Sequence, residues 1–172
     1  MVEIVTYETK YRADFIRLNR QWIERYFRLE TADLATFAHV DDIVNEGGQI
    51  FIARTEEDEV VGCCALKHHT KEARYELSKM AVDPAYQGQH IGWQLGKALT
   101  DYARAHGVRE IYLEGNTRME ASIALYRKLG FREIPFVSDE DNAYERCNIF
   151  MIWYNTPQFL DNSKRKVFIF EK

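Results

Sequence analysis

A loop that could bind phosphate lies within residues 80–93, between an apolar run and a helical pattern. The segment reads Met-Ala-Val-Asp-Pro-Ala-Tyr-Gln-Gly-Gln-His-Ile-Gly-Trp. Its glycines allow a ligand to approach the backbone closely, and the first turn of a helix leaves N–H groups unpaired with about half a positive charge. These features favour phosphate as the ligand, and a simple tight turn between strand and helix is the alternative.

Two common phosphate-binding motifs do not fit this loop. A P-loop requires Gly-Lys-Ser or Gly-Lys-Thr, and neither follows the glycines. A dinucleotide-binding fingerprint requires the spacing G-x-G-x-x-G after a crossover strand, but here the spacing differs and the preceding strand follows a hairpin. The order of the neighbouring elements must therefore indicate what the loop binds.

Alternating and helical patterns predict the elements that position the loop. Helical spacing covers residues 11–28, 33–45, 91–106 and 119–129, and strand patterns cover residues 2–7, 49–54, 60–68, 75–82, 109–113, 131–136 and 149–154. The strands before and after the acidic turn at residues 56–59 form a predicted hairpin. A strand-helix-strand crossover then joins residues 75–82 to residues 109–113, which predicts parallel pairing of those two strands.

Composition limits the classes of partner. The 172 residues, 46% of them apolar, suffice for one domain with a buried core. Acidic residues outnumber basic ones by 27 to 23, and the net charge of −4 argues against nucleic acid and favours small cations as partners. No apolar run approaches the ~20 residues that span a membrane, and no signal-peptide pattern is present, so we expect no membrane partner and a cytoplasmic location.

The cysteines and histidines do not follow a metal-binding pattern. Cys63 and Cys64 are adjacent and Cys147 stands alone, so we expect free thiols. His68 and His69 end a predicted strand without a third ligand at metal spacing, so a surface position is expected for both. We predict no metal.

The motifs and their order resemble the GNAT N-acetyltransferase family, of the bacterial type that acts on small molecules or amines. The resemblance is carried by residues 80–84, by residues 87–92, which match the pattern Q/R-x-x-G-x-G/A in part, and by residues 124–131. It covers residues 2–154 and implies the α/β (α+β) GNAT fold, with a mixed, mostly antiparallel sheet of about seven strands and about four helices. We assign the domain to residues 2–157.

The remaining residues, 158–172, form a C-terminal tail. Its apolar segment at residues 167–170 predicts an extra strand, which would be an aggregation hazard if it were left exposed. Pairing with a sheet edge or with a second subunit would remove that hazard, so a homodimer is a possible state.

The resemblance implies acetyl-CoA as cosubstrate. In the family geometry the backbone of Met80, Ala81 and Val82 pairs with the pantetheine arm like an added strand, and the amides of residues 89–93 hold the pyrophosphate. The residues that it assigns to coenzyme A are Met80, Ala81, Val82, Gln87, Gly88, Gln89, His90, Ile91, Gly92, Trp93, Asn116 and Tyr126.

His90 departs from the family pattern, which usually has glycine at this position. A Cβ restricts φ and crowds the pyrophosphate, although the backbone N–H stays available. Two outcomes follow from this departure. Either affinity for acyl-CoA is weakened, or the imidazole contacts phosphate directly.

The resemblance also implies two catalytic residues. An amine with a pKa of ~10.4 is the free base in only about one molecule in 2,500 at pH 7, so a general base helps. Glu76 occupies a position where some members of the family carry that base, and a solvated strand residue is the alternative. Tyr126 matches the general-acid tyrosine that protonates the departing CoA thiolate, and a core tyrosine is the alternative.

Further groups would bind the reaction intermediate and the acceptor. An N–H of Met80 or Ala81 would stabilise the tetrahedral oxyanion, and Asn116 would orient pantetheine or the amine unless it only forms a turn. Acceptor contacts are expected from residues 25–30 and from a late polar loop. The loop residues concerned are Asp139, Glu140, Asp141 and Tyr144.

The predicted function is transfer of acetyl from acetyl-CoA to a primary amine by direct attack on the thioester, without a covalent enzyme intermediate. The acceptor would be a small molecule or a peptide amine. One alternative is a module of the same fold that binds or senses acyl-CoA without catalysis. Another is a structural adaptor that uses the tail strand.

Overall fold

Among the described residues, seven strands form one sheet in the order β1-β2-β3-β4-β5-β7-β6. The computed structural model describes residues 1–136 and 144–156, and the predicted acidic loop residues 139–141 and the tail strand lie outside these ranges. All neighbouring strands are antiparallel except β4 and β5, which are parallel as predicted. The strands are β1 (Val2–Thr6), β2 (Gln49–Thr55), β3 (Val60–His69), β4 (Arg74–Val82), β5 (Glu110–Gly115), β6 (Arg132–Ile134) and β7 (Ile149–Tyr154).

In the described part of the chain, five α-helices accompany the sheet, and the predicted fold class is confirmed. They are α1 (Arg12–Tyr26), α2 (Thr31–Ala38), α3 (Asp42–Asn45), α4 (Ile91–Ala105) and α5 (Glu120–Lys128). Within the described ranges, no helix has both the length and the apolar character needed to cross a membrane.

The predicted helix over residues 33–45 is two helices, because the chain bends between them. His39 leaves the helical region with φ −134° and ψ 42°, and this bend buries Val40 beneath the sheet. Gly47 and Gly48 then end α3 as predicted. A Cβ on Gly48 would lie 2.2 Å from the carbonyl oxygen of Leu66, so only glycine allows the chain to approach β3 this closely.

Helices cover both faces of the sheet. Helices α4 and α5 pack on one face, where Leu95, Leu99 and Ile123 meet the apolar side chains of β2 to β5. Helices α1 and α3 pack on the other face, where Phe15 and Leu18 are buried. Because side chains alternate along a strand, β4 presents residues to both layers.

The centre of the sheet is interrupted at β4. Cys63 pairs with Ala81 and Ala65 pairs with Ser78, so two residues of β4, Lys79 and Met80, oppose one residue of β3. This is a β-bulge, and the φ of 53° at Lys79 is its backbone signature. On the other side of β4, Glu76 and Tyr112 are the one pair that joins it to β5 within the described residues. The two parallel strands therefore separate beyond Glu76.

Candidate active site

A cleft of about 770 Å³ lies where β4 and β5 separate. Its walls come from β4, from the end of β5, from the start of α4 and from α5, and its far end is closed by the end of α1 and residues 144–147. Every residue that the sequence assigns to coenzyme A or to catalysis lines this cleft except Gln89, which lies exposed on the loop. Of the predicted acceptor contacts, Tyr26, Phe27 and Tyr144 line it.

The predicted phosphate loop is held in place by its own side chains. The Asp83 carboxylate accepts a hydrogen bond from the Ala85 N–H (3.0 Å), and the Gln87 side-chain amide donates to the Val82 carbonyl (3.2 Å). The first helical bond of α4 runs from the Gln94 N–H to the His90 carbonyl (3.0 Å). The amides at the start of α4 precede that bond, so they are free of intrahelical partners and can bind an anion.

His90 occupies the left-handed region, with φ 60° and ψ 15°. This conformation explains why a glycine suits the position, and it shows that the chain keeps the same turn with a side chain present. The imidazole is exposed and makes no capping hydrogen bond to the helix. The residue therefore lies in the predicted phosphate loop with its side chain turned to solvent.

Glu76 is buried and paired, so the interpretation as a solvated strand residue is wrong. Its side chain is 7% exposed, and one carboxylate oxygen lies 2.7 Å from Nε2 of His69. Its neighbours in the sheet are Lys67 on β3 and Tyr112 on β5. His69, which was expected only at the surface, thus reaches from a half-buried position to the predicted base.

Tyr126 reaches the cleft from the face of the sheet on which α4 and α5 pack. It packs against the core formed by α4 and α5, with its ring edge-on to Phe131 at 6.1 Å between centroids. Burial raises the pKa of its hydroxyl well above the ordinary value. The hydroxyl therefore carries its proton at neutral pH.

Both the nitrogen and the oxygen of the Asn116 side-chain amide form hydrogen bonds to the backbone of nearby segments. Its nitrogen donates to the Arg146 carbonyl (2.6 Å), and its oxygen accepts from the Arg118 N–H (2.8 Å). These bonds shape the turn after β5 and tie it to residues 144–147. The contacts favour the turn-forming interpretation of this residue.

A buried ion cluster beside the cleft was missed at the sequence level. Lys79 Nζ donates to Asp33 (2.8 Å) and to the Tyr144 hydroxyl (2.7 Å), and the Arg146 guanidinium donates to both oxygens of Asp33 (2.7 and 2.9 Å). Arg146 also donates to Glu30 (2.8 Å), the residue that precedes α2. The cluster fastens α2 and residues 144–147 to the bulge of β4.

Hydrogen bonds and neighbouring charge hold Asp33 in its ionised form. Burial alone would raise the pKa of Asp33, but the hydrogen bonds from Arg146 and the charge of Lys79 outweigh it and lower that pKa from 3.8 to about 2. Burial lowers the pKa of Lys79, and Asp33 offsets part of this shift. A lysine within the otherwise apolar end of β4 was the signal in the sequence that could have revealed the cluster.

Aromatic rings surround the far end of the cleft. Trp22, Tyr26 and Phe27 come from the end of α1, which was predicted to contact the acceptor, and Tyr144 faces them from the later segment. The carboxylates of Glu76 and Glu114 belong to residues that line the same space. An ammonium group would find both carboxylates and ring faces here.

The sequence profile of the acetyltransferase (GNAT) family matches residues 15–131, more than half of the chain. This chain belongs to that family. The predicted family is therefore confirmed, and acetyl-CoA, the cosubstrate that GNAT acetyltransferases use, agrees with the predicted cofactor.

Individual relatives of this GNAT chain match over shorter segments. N-alpha-acetyltransferase RimI of Mycobacterium tuberculosis is 46% identical over 65 residues, which cover 38% of this chain and 39% of the relative. IAA acetyltransferase of Azospirillum brasilense is 36% identical over 83 residues, which cover 48% of this chain and 54% of the relative. The chain thus spans about half or less of the length of these relatives.

Solved structures share the GNAT fold over nearly the whole chain. A GNAT acetyltransferase of Staphylococcus aureus Mu50 superposes with a TM-score of 0.78 at 21% identity, covering 90% of this chain and 99% of that one. The Salmonella typhimurium protein yncA, solved with its cofactor acetyl-CoA, superposes with a TM-score of 0.71 at 19% identity, covering 95% and 99%. At sequence identities this low, the structural similarity shows that the fold is shared and nothing further.

Proposed function

We propose that this protein is an acetyl-CoA-dependent N-acetyltransferase that transfers acetyl to a primary amine by direct attack on the thioester. The observation that carries the proposal is the cleft between β4 and β5, which brings a buried carboxylate and a protonated tyrosine to one space from opposite faces of the sheet. Membership of the GNAT family supports the same activity.

The coenzyme would bind along β4 and across the start of α4. The free edge of β4 after Glu76 offers Met80, Ala81 and Val82 to the amide groups of pantetheine, as an added strand would be held. The loop and the first amides of α4 would hold the pyrophosphate. The bulge at Lys79 and Met80 turns backbone groups out of the β3 ladder, where one N–H can stabilise the oxyanion.

Proton transfers would use the two sides of the cleft. Glu76 accepts a proton from the acceptor ammonium, directly or through water, and the free amine then attacks the thioester carbonyl. The tetrahedral intermediate collapses and expels CoA thiolate, to which Tyr126 donates a proton. The attacking nitrogen loses its second proton as the amide forms, and that proton returns to the Tyr126 oxygen, directly or through water. Because burial raises the pKa of Tyr126, its hydroxyl carries a proton when the thiolate leaves.

The acceptor would enter at the aromatic end of the cleft. The relative RimI is named an N-alpha-acetyltransferase, and N-acetylaspartate synthetase of the mouse, 30% identical over 87 residues, is named for an acetylated amino acid. Together with the carboxylates and rings that line this end, these names support an acceptor that presents a primary amine, either a small molecule or a peptide N-terminus.

A panel of primary amines tests the proposal. Release of the CoA thiol is measured with acetyl-CoA and, in turn, alanyl peptides, free amino acids, polyamines and aminoglycosides. We expect turnover with at least one class. Binding of acetyl-CoA without turnover in any class would favour the alternative of a non-catalytic acyl-CoA-binding module, and absence of binding would favour a structural adaptor.

A further inference from the structure

Glu76 has a contact that leads out of the cleft. His69, the last residue of β3, places Nε2 2.7 Å from the Glu76 carboxylate. The Glu76 side chain is 7% exposed and that of His69 is 35% exposed, so the pair connects the buried cleft to solvent at the far end of the sheet. Carboxylate and imidazole are both groups that accept and release protons readily.

We propose that His69 is a proton relay that carries the acceptor's proton from Glu76 to solvent. This inference rests on the proposed function, since it presumes that Glu76 is the base. An N–H bond of the acceptor ammonium breaks and an O–H bond forms on Glu76. The proton then passes to Nε2 of neutral His69, and the imidazolium releases a proton from Nδ1 to water. Glu76 is then a carboxylate again and His69 is left as its Nε2–H tautomer. Rotation of the half-buried ring and proton exchange with water restore the Nδ1–H tautomer, and one proton has left the cleft.

The other charged and titratable neighbours of Glu76 are engaged elsewhere. Lys67 on β3 donates to the Thr36 hydroxyl (3.0 Å), and Lys79 on β4 donates to Asp33 and Tyr144. On β5, burial and then the charge of Glu76 itself raise the pKa of Tyr112, so its hydroxyl stays protonated and cannot take a proton. Arg74 lies over the Tyr112 ring (4.3 Å). Among the described neighbours, His69 is the proton acceptor in contact with the carboxylate.

Two variants of His69 separate a relay from a positioning contact. His69→Gln keeps a side-chain amide that can bond to Glu76 but cannot carry a proton, and His69→Ala opens space for added imidazole. His68→Gln is the matched control, because His68 points to the Glu46 carbonyl (2.9 Å) and stacks on Tyr75 instead. Thermal unfolding and acetyl-CoA binding of each variant verify that the fold is intact.

The rates are measured as CoA release with the best acceptor of the amine panel, at low buffer concentration. We expect kcat to fall by about tenfold or more in both His69 variants and to stay unchanged in His68→Gln. Added imidazole should restore a large part of the rate in His69→Ala and none in Glu76→Gln. The solvent isotope effect on kcat should also increase in His69→Gln.

Each failure has its own signature. Full activity in His69→Gln, or a loss in His69→Ala that imidazole does not restore, would overturn the relay while leaving the base role of Glu76 in place. Full activity in Glu76→Gln would remove the base role and the relay with it. Absence of turnover in the wild type with every amine is a failure of the proposed function, seen before any variant is made.

Discussion

Lys79 and His90 both line the cleft in a backbone conformation that residues other than glycine rarely adopt. Their φ angles are 53° and 60°. Each such residue costs of the order of 1 kcal/mol or more, and the surrounding structure must hold it there. At Lys79 the buried ion cluster supplies that constraint, and at His90 the turn into α4 supplies it. Strain at these two positions is consistent with their place at the site.

His90 permits a direct test of the crowding argument. We expect His90→Gly to bind acetyl-CoA more tightly, by a factor of about 2 to 10, because removal of the Cβ frees the backbone to approach the pyrophosphate. His90→Ala, which keeps the Cβ and loses the imidazole, should match the wild type. Isothermal titration calorimetry measures both affinities. Weaker binding in both variants would instead place the imidazole on the phosphate.

Tyr126 should matter for turnover and not for binding. We expect Tyr126→Phe to lower kcat by about 100-fold or more while the Kd for acetyl-CoA stays within twofold, because only the proton on the leaving thiolate is lost. The ring keeps its contact with Phe131. Tyr102→Phe, in α4 and outside the cleft, is the control. A kcat equal to that of the wild type would assign Tyr126 to the core.

At the scale of elements, α2 is tied to the sheet by charge more than by apolar contact. Asp33, at the third position of this helix, is fully buried and receives hydrogen bonds from Lys79 and Arg146. Glu30 and Asp33 also form a reciprocal capping box at the start of α2. One carboxylate thus both caps a helix and joins it to β4 and to the segment after residue 143.

Loss of this carboxylate should destabilise the protein strongly. We expect Asp33→Asn to lower the free energy of unfolding by about 3–5 kcal/mol at neutral pH, because the buried Lys79 loses its counterion and Arg146 keeps only Glu30. In a double-mutant cycle with Lys79→Met, the double variant should recover part of the loss. Urea unfolding measures each step. Strict additivity of the two losses would contradict a coupled pair.

The ion pair of Asp33 with Lys79 also predicts how the stability of the protein depends on pH. The folded pKa of Asp33, about 2, lies below the unfolded value of 3.8, so its contribution is present above about pH 4 and is lost as pH falls towards 2. We expect the difference in stability between the wild type and Asp33→Asn to shrink over that window. Urea unfolding at neutral pH and near pH 3 measures it, and a difference that stays constant would contradict the pairing.

Elements with a clear period could be predicted from the sequence, and contacts between distant charges could not. The hairpin of β2 and β3, the crossover between β4 and β5 and the helix at α4 all follow local patterns. The bend at His39 was missed because it depends on where Val40 is buried. The cluster of Asp33 and Lys79 was missed because it joins residues 46 positions apart. The periodic pattern of apolar residues indicates local structure and carries no information about contacts between distant residues.

At the scale of the whole molecule, bound acetyl-CoA should stabilise the folded protein. Acetyl-CoA at about 100 times its Kd would stabilise the protein by about 2.7 kcal/mol, which corresponds to a rise in Tm of roughly 5–10 °C at this chain length. Differential scanning fluorimetry measures the shift. No rise in Tm at saturating acetyl-CoA would contradict both the enzyme and the acyl-CoA-binding module.

Two substitutions of Gly88 test whether the rise in Tm comes from phosphate bound at this loop. It has φ 80°, and a Cβ there would meet no atom within 4 Å, so aspartate and asparagine, which both tolerate this conformation, should fit equally. We expect Gly88→Asp to abolish most of the shift through repulsion of phosphate, and Gly88→Asn to retain it. Equal shifts in the two variants would place the phosphates elsewhere.

A strand edge that can still form hydrogen bonds normally invites another protein chain, and exposed edges of this kind promote aggregation. The edge of β4 after Glu76 is not at the rim of the sheet but inside it, and the start of α4 and the body of α5 line the same cleft. A polypeptide strand carries side chains on both faces and needs more room between these helices than the slender pantetheine arm. The fold can therefore offer a strand edge to a coenzyme and withhold it from other proteins.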